Sequence, residues 1–545
     1  MKWFPLCNYT HYSLQKGYSK PDTLIKKCVK EGYGACGIAD YKSISGAVSF
    51  FNECVKNDVH PIIGCSFDTF KLFAKNKEGW HDLIRITSSI DSDGSYSDGF
   101  VKEICAKGNL LCVSLSSKEA PLSGPDLYYH CLDTVSSYYV EKDEAVLHRV
   151  MLCASLKTTL SKVKKKAGYD TVKIFFERDD LCVKDASQVN PDGGILNQIR
   201  SKCESYNILR KPMLPHFPTP NGESEEEYLY ALCQEGWEEL LVKTGKVSTE
   251  ADKQIYQARL DKEFAVIKRA NLFGYFLIVQ DIINYVNGQG WMSGPGRGSA
   301  AGCLISYLSK IIQVDPIEFD LLFERFYNDG RNTEDHISLP DIDMDIPGNK
   351  RDEIISYIKD KYGHGKVSQM ITFTRLRGRS ALKQVLRINE SCGFSEMNAM
   401  TKPIPDEAEI SDQLELMDED ERSIIMWALM YRSKDLMDFC HLDEDDNLVG
   451  DYAEQFRQAI EMEGTFNAQS KHAAGVVISS EELSNVCPMV NQASSLEKIA
   501  GLEMNDLEML GHVKFDVLAL KLLDKLMQIQ DRVKERYAQN TLEHV

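Results

Sequence analysis

The sequence predicts a multidomain α/β protein. Residues 1–210 alternate short apolar strands with helical stretches, a strand of alternating acids spans Pro340–Ile346, and a polar helical stretch at 373–468 separates it from a second acid-bearing strand. Strands are expected at Ala35–Ala39, Pro61–Gly64 and Leu110–Val113, with helices near 21–32 and 45–56, the alternation of an α/β layer. Prolines near 211–222 mark a boundary, and 225–290 reads as helix-rich. At 545 residues the chain has length for about three or four domains with sizeable cores.

The acidic strand reads Pro340-Asp341-Ile342-Asp343-Met344-Asp345-Ile346. Successive strand side chains point to opposite faces, so Asp341, Asp343 and Asp345 share one and the apolar residues the other. Adjacent carboxylates raise one another's pKa, and a divalent cation reverses that cost. Hard oxygen ligands suit Mg²⁺ beside substrate phosphates. A solvated strand edge carrying acids is the competing reading.

Upstream lies Ser293-Gly294-Pro295-Gly296-Arg297-Gly298-Ser299-Ala300-Ala301-Gly302, followed by an apolar helical stretch from Cys303 to Leu308. Glycines admit a phosphate close to the backbone, and a helix N-terminus offers free N–H groups. Arg297 and the Ser299 hydroxyl add donors. No Gly-Lys-Ser/Thr closes the loop, so it is not a P-loop. Gly296-x-Gly298-x-x-Ala301 meets a loose dinucleotide fingerprint, but only a short apolar stretch precedes it. Downstream, Val513, Phe515 and Val517 alternate with Lys514, Asp516 and Leu518, a half-buried strand. Asp516 can complete the carboxylate set from a neighbouring strand, with Lys514 on the same face. Together these elements form a constellation for two metal ions and in-line phosphoryl displacement.

Net charge is −19, from 63 basic and 82 acidic residues, which by composition alone argues against a nucleic-acid binder. Much of the acid sits in runs at Glu225 to Glu227, Asp418 to Glu421 and Asp443 to Asp446. A positive stripe persists at Arg375, Arg377, Arg379, Lys383 and Arg387, a candidate DNA-backbone contact or a plain exposed helix face. Sixteen cysteines without a Cys-x-x-Cys pair read as reduced thiols of a cytosolic protein. No apolar stretch approaches membrane-spanning length.

The chain resembles the C family of bacterial replicative DNA polymerases, the DNA polymerase III alpha subunits. Blocks occur in family order: Phe273-Gly274-Tyr275-Phe276-Leu277, Gly294-Pro295-Gly296-Arg297-Gly298-Ser299, Asp315-Pro316, Phe319 to Phe326, the acidic strand, Val367 to Phe373, Lys471 to Ile478, and Val513-Lys514-Phe515-Asp516. The resemblance implies a degenerate, barrel-like polymerase-and-histidinol-phosphatase (PHP) domain at 1–210. It further implies a palm of the nucleotidyltransferase superfamily at 211–372 and 469–520, a helical thumb at 373–468 and a C-terminal helix at 521–545. Asp341, Asp343 and Asp516 match catalytic ligands of two Mg²⁺ ions. Gly298, Ser299, Arg325 and Lys514 match positions that hold the incoming dNTP. Arg331 lies near another such position, set off from the acidic strand by Asn332 to His336, and Asp345 is expected in a supporting role. The stripe Arg375, Arg377, Arg379 and Lys383 is expected on primer–template DNA.

Family PHP sites carry clustered His, Asp and Glu. Here Cys7 and Tyr9 stand where two histidines are expected, Tyr41 at a usual histidine and Ser66 at a usual glutamate. His11 and Asp40 alone cannot build a metal cluster, so no PHP cofactor or phosphatase activity is expected. Only 29 residues follow Asp516. Family enzymes continue into fingers, helix–hairpin–helix, clamp-binding and OB segments. The expectation is a split polymerase of phage or other mobile-element origin, in a bacterial or phage-infected cytoplasm. A second polypeptide would supply fingers and, through it, a sliding-clamp contact. Two other functions compete: a non-catalytic replisome scaffold on primer–template DNA, and a template-independent nucleotidyltransferase.

Overall fold

The computed structural model describes residues 3–542 except 15, 117, 119, 190–193, 329–338, 419–421 and 493–494. The strands in chain order are β1 (Ala35–Tyr41), β2 (His60–Ser66), β3 (Phe70–Ala74), β4 (Leu110–Ser114), β5 (Leu127–Tyr129), β6 (Asp343–Pro347) and β7 (Val367–Arg375). They continue with β8 (His441–Leu442), β9 (Leu448–Val449), β10 (Phe466–Ile478), β11 (Met489–Gln492), β12 (Ser495–Ala500) and β13 (Val513–Leu520). They form a five-stranded sheet β1-β2-β3-β4-β5, a six-stranded sheet β11-β12-β7-β10-β13-β6 and a ribbon β8-β9. The chain divides into two compact units, residues 1–208 with 372–470, and 209–371 with 471–545.

In the first unit β1 and β2 run parallel, Ala35 opposite His60 and Tyr41 opposite Ser66. The crossover is the helix Ala47–Lys56, which buries Phe50, Phe51 and Cys54. β1 is buried over its first six residues, as a parallel strand covered on both faces must be. β3 enters antiparallel between β2 and β4. The α/β expectation holds here, but the barrel-like expectation needs correction: among the described residues the strands close no barrel. The N-terminal segment meets β1 through one parallel bridge, Asn8 to Ile38, and a second from Asn8 to Ser137. The Asn8 side chain is itself a buried node, donating to the carbonyls of Pro5 and Gly37. Bridges therefore replace a continuous ladder.

Helices of 373–468 share an apolar core with residues 139–181 of the same unit. Ala381, Leu382, Val385 and Leu386 of the helix Gly378–Asn389 meet Leu147, Val150, Phe456 and Ala459. In the second unit the helix Phe273–Gly288 buries Phe276, Leu277, Ile278 and Ile282 with Ile342, Met344, Phe515 and Val517. The apolar sides of β6 and β13 thus face this core, and their acidic sides are turned away from it. All sixteen cysteines are free, thirteen of them buried. Among the described residues no helix is long and apolar enough to cross a membrane.

Candidate active site

β6 and β13 are parallel neighbours, with Asp343 opposite Asp516 and Asp345 opposite Leu518. Ile342, Met344 and Ile346 are at most 1% exposed, which turns the acids the other way. Asp341, Asp343 and Asp516 each place a carboxylate oxygen within 4.8 Å of the others, the one such group of three possible metal ligands among the described residues. Lys514 Nζ lies 3.0 Å from Asp516 and 3.8 Å from Asp341. Three carboxylates against one ammonium leave two negative charges, and Asp516 Oδ1 is buried without a hydrogen-bond partner. A divalent cation satisfies both the charge and the orphaned oxygen, so these residues fit Mg²⁺.

Burial raises the Asp341 carboxyl above its ordinary range, and the charge of Asp516 adds to the rise against Lys514. Burial also raises Asp343, with Asp341 and Asp516 pushing the same way. Lys514 is raised in turn: burial works against its charge, but the hydrogen bond to Asp516 and the charges of Asp516 and Asp341 outweigh it. Tyr275 ties the strands from behind. Its hydroxyl accepts the Ile342 N–H at 3.1 Å, and its ring stacks on Phe515 with centroids 5.2 Å apart.

The glycine segment borders a cavity of about 550 Å³ lined by Gly298, Ser299, Gly302, Asp320, Leu321, Leu322 and Arg325. Gly298 has φ +61° and opens the short turn Gly298–Gly302. Two expectations are corrected. The helix that follows is only Leu304–Leu308. Its leading amides are not free for a ligand, because Leu304 N–H and Ile305 N–H donate to the Glu263 carboxylate, each at 3.0 Å. Arg297 is not a loose phosphate donor, since its Nη2 lies 2.7 Å from Asp345 Oδ1.

Glu263 was not singled out from sequence. It is fully buried and bound by Arg259 Nε at 2.6 Å. Arg259 Nη2 donates onward to the carbonyls of Gly302, 2.7 Å, and Leu321, 3.0 Å. The pair therefore fixes two walls of the cavity. Burial raises the Glu263 carboxyl, against its backbone donors and Arg259. Arg331 lies outside the described residues. On the basic stripe Arg377 pairs with Glu407 at 3.0 Å and Arg379 with Asp406 at 3.3 Å. The Arg375 guanidinium lies over Phe466, and Lys383 and Arg387 are exposed.

In the first unit, Tyr9 Oη and Ser66 Oγ share a 2.5 Å hydrogen bond. Asp40 accepts from Thr10 N–H, Thr10 Oγ1 and Ser13 Oγ at 2.6–2.7 Å. His11 stacks on Phe466, ring centroids 3.9 Å apart, and burial lowers its pKa to about 3. Burial raises Asp40 to about 6, against its hydroxyl and amide donors. A carboxyl whose folded pKa exceeds its unfolded one contributes most to stability below the unfolded value, and loses that contribution as pH rises through the folded value. Unfolding of wild type and Asp40→Asn should therefore diverge with pH. From about pH 4 to about pH 7 the wild type should lose up to about 3 kcal/mol relative to the variant. A constant difference across that range would contradict this.

Comparison with known proteins gives the class first. The family model for the bacterial DNA polymerase III alpha NTPase domain matches residues 227–519, just over half of the chain, and the PHP domain model matches 6–140. The chain belongs to the bacterial DNA polymerase III alpha family. It is 28% identical over 597 residues to the DNA polymerase III subunit alpha of Bacillus subtilis (strain 168), covering 98% of this chain and 50% of that protein. The subunit of Staphylococcus aureus (strain Mu50) is also 28% identical, over 97% of this chain and 48% of its own length. That of Pseudomonas fluorescens is 27% identical, over 94% and 47%. The chain spans about half the length of the curated relatives it matches.

Proposed function

We propose that this chain carries the nucleotidyl-transfer site of a template-directed DNA polymerase acting in replication. The observation that carries the reading is the parallel register of β6 and β13. It gathers Asp341, Asp343 and Asp516 around an unsatisfied carboxylate oxygen beside the Lys514 ammonium. Asp341, Asp343 and Asp516 hold two Mg²⁺ ions. When bound, these ions lower the pKa of the primer 3′-hydroxyl and neutralise charge on the transferring phosphate. Lys514 would offer its ammonium to the triphosphate with the ions in place. Gly298 and Ser299 offer backbone and hydroxyl donors to the phosphates, and Arg325 adds charge across the cavity. Arg331 is assigned the same role by its sequence position.

Residues 211–372 and 469–520 act as palm, and 373–468 as thumb. The polymerase works in the cytoplasm of a bacterial or phage-infected cell. The helix Lys521–Leu542 carries an exposed stripe of Leu522, Leu526, Ile529 and Val533, an apolar surface suited to packing against the rest of the polymerase. The PHP domain performs no metal-dependent hydrolysis. Exonuclease activity abolished by His11→Ala would overturn that part.

Arg375, Arg377, Arg379 and Lys383 contact the DNA backbone. Each phosphate contact releases a counterion, so Lys383→Ala should weaken primer–template binding regardless of sequence and reduce the log–log salt slope by about one. An unchanged slope removes Lys383 from the interface.

The test of the reading is primer extension with Mg²⁺ and single dNTPs, by the chain together with polypeptides that co-purify with it. Incorporation of the template-complementary nucleotide alone is expected. Addition without regard to template would make the chain a template-independent nucleotidyltransferase. DNA binding without incorporation would make it a scaffold.

A further inference from the structure

Asp345 sits on the same side of β6 as the other two acids, two residues or about 7 Å beyond Asp343. It nevertheless stays outside the metal-ligand group. Its side chain is 7% exposed, against 58% for Asp341, and it is paired with Arg297. Arg297 Nε donates to Oδ2 at 3.0 Å, and Nη2 lies 2.7 Å from Oδ1 as an ion-pair contact without an aligned hydrogen bond to that oxygen. The backbone closes the same junction, since Gly294 N–H donates to the Asp345 carbonyl at 2.9 Å. A Cβ on Gly294 would stand 2.5 Å from the Asp345 Cβ, so the loop lies flush on the strand. The far side of the loop is held too. Gln313 N–H donates to the Pro295 carbonyl at 2.8 Å, and a Cβ on Gly296 would meet Ile312 at 2.7 Å. Arg297 immediately precedes Gly298, whose left-handed backbone turns the chain into Ser299.

We propose that Asp345 is a positioning residue which, through Arg297, latches the glycine loop to the acidic strand, so that the phosphate-binding backbone and the metal-binding carboxylates move as one body. The proposal rests on the nucleotidyl-transfer reading for its consequence, but the latch itself can be read without it. Asparagine at 345 removes the charge that holds Arg297 and leaves the guanidinium itself in place. The latch therefore treats Asp345→Asn as a loss of nucleotide binding, whereas a direct phosphate contact by Arg297 would be spared by it.

The experiment uses the full chain with Arg297→Lys, Arg297→Gln, Asp345→Asn and the double variant Arg297→Gln/Asp345→Asn. Three readouts are taken: equilibrium binding of a dNTP with Mg²⁺, binding of Mn²⁺ alone, and amide hydrogen exchange across 294–302. Each single variant should weaken dNTP binding about tenfold, and the double variant should be no worse than a single one, since both remove one interaction. Mn²⁺ binding should hold to within about twofold, because the ligand set is untouched. Exchange across 294–302 should rise in every variant. Wild-type dNTP binding in Asp345→Asn, multiplied effects in the double variant, or unchanged exchange would each overturn the latch. Faster, non-additive exchange in a chain whose wild type binds no dNTP would leave the latch standing and sink the nucleotidyl-transfer reading.

Discussion

Replacing Asp343 by asparagine should abolish Mg²⁺-dependent nucleotide incorporation while leaving the protein as stable as before, or more so. The carboxylate lies opposite Asp516 in the strand register and belongs to the group spanning 4.8 Å. Asparagine keeps the shape and removes one of the charges that draw the ions. Metal-based charge stabilisation is worth several kcal/mol, and each 1.4 kcal/mol is tenfold in rate, so the loss should reach about a thousandfold. The folded protein has the opposite interest. Burial and the neighbours Asp341 and Asp516 hold the Asp343 carboxyl above its ordinary pKa, so its charge is a strain on the fold. Thermal unfolding without metal should show an equal or higher Tm. An inactive variant with a much lower Tm would mean that Asp343 acts through folding rather than through metal.

Glu263→Ala should cost about 3–5 kcal/mol of stability, the range for breaking a buried pair and leaving its partner charged. Glu263 is fully buried, and four groups depend on it: Arg259, Leu304 N–H, Ile305 N–H and the Cys303 thiol. Alanine strands the guanidinium and two amides at once. Glu263→Gln should be milder, because its amide oxygen still accepts from one backbone N–H. Denaturant unfolding should rank the chains wild type, then glutamine, then alanine. An alanine variant within about 1 kcal/mol of wild type would show that the site collapses around the loss or admits water. Arg259 also holds the carbonyls of Gly302 and Leu321, so the alanine variant should bind dNTP more weakly even where it remains folded.

The strands that carry the acids were legible because their pattern is local. Apolar residues at 342, 344 and 346 and at 513, 515 and 517 fall at period two, and burial follows that alternation. What brings Asp343 opposite Asp516 is long-range. The two lie far apart in the chain, and no local pattern gives the register; the sequence offers Asp516 as a partner for the acidic strand, and the resemblance matches the three acids as one ligand set. The supporting residues were harder. Glu263 occupies one position of the buried stripe Tyr256, Leu260, Glu263, Ile267, and an acid at such a position is the signal that could have marked it. Tyr275 lies within a family block, but its bond to the Ile342 amide depends on packing between elements. Arg297 was read as a phosphate donor because its glycine neighbours suggest one. Its partner Asp345 became visible only when loop and strand were placed together. The substitutions at Cys7, Tyr9, Tyr41 and Ser66 were plain in the sequence. The hydrogen bond between Tyr9 and Ser66 shows how two of the replacements pair. The stripe at 379, 383 and 387 follows helical spacing, but Asp406 and Glu407 reach Arg379 and Arg377 from an acidic turn outside that helix.

The central claim is that Asp341, Asp343 and Asp516 form a metal site beside the triphosphate. Anomalous diffraction from crystals grown with Mn²⁺ and a dNTP tests it most directly. The expected result is two Mn²⁺ peaks about 3.5–4 Å apart, ligated by the three carboxylates, with Lys514 withdrawn from Asp516 towards the phosphates. Crystals that bind the nucleotide but show no Mn²⁺ at the triad, with Lys514 still paired to Asp516 and Asp341, would contradict it.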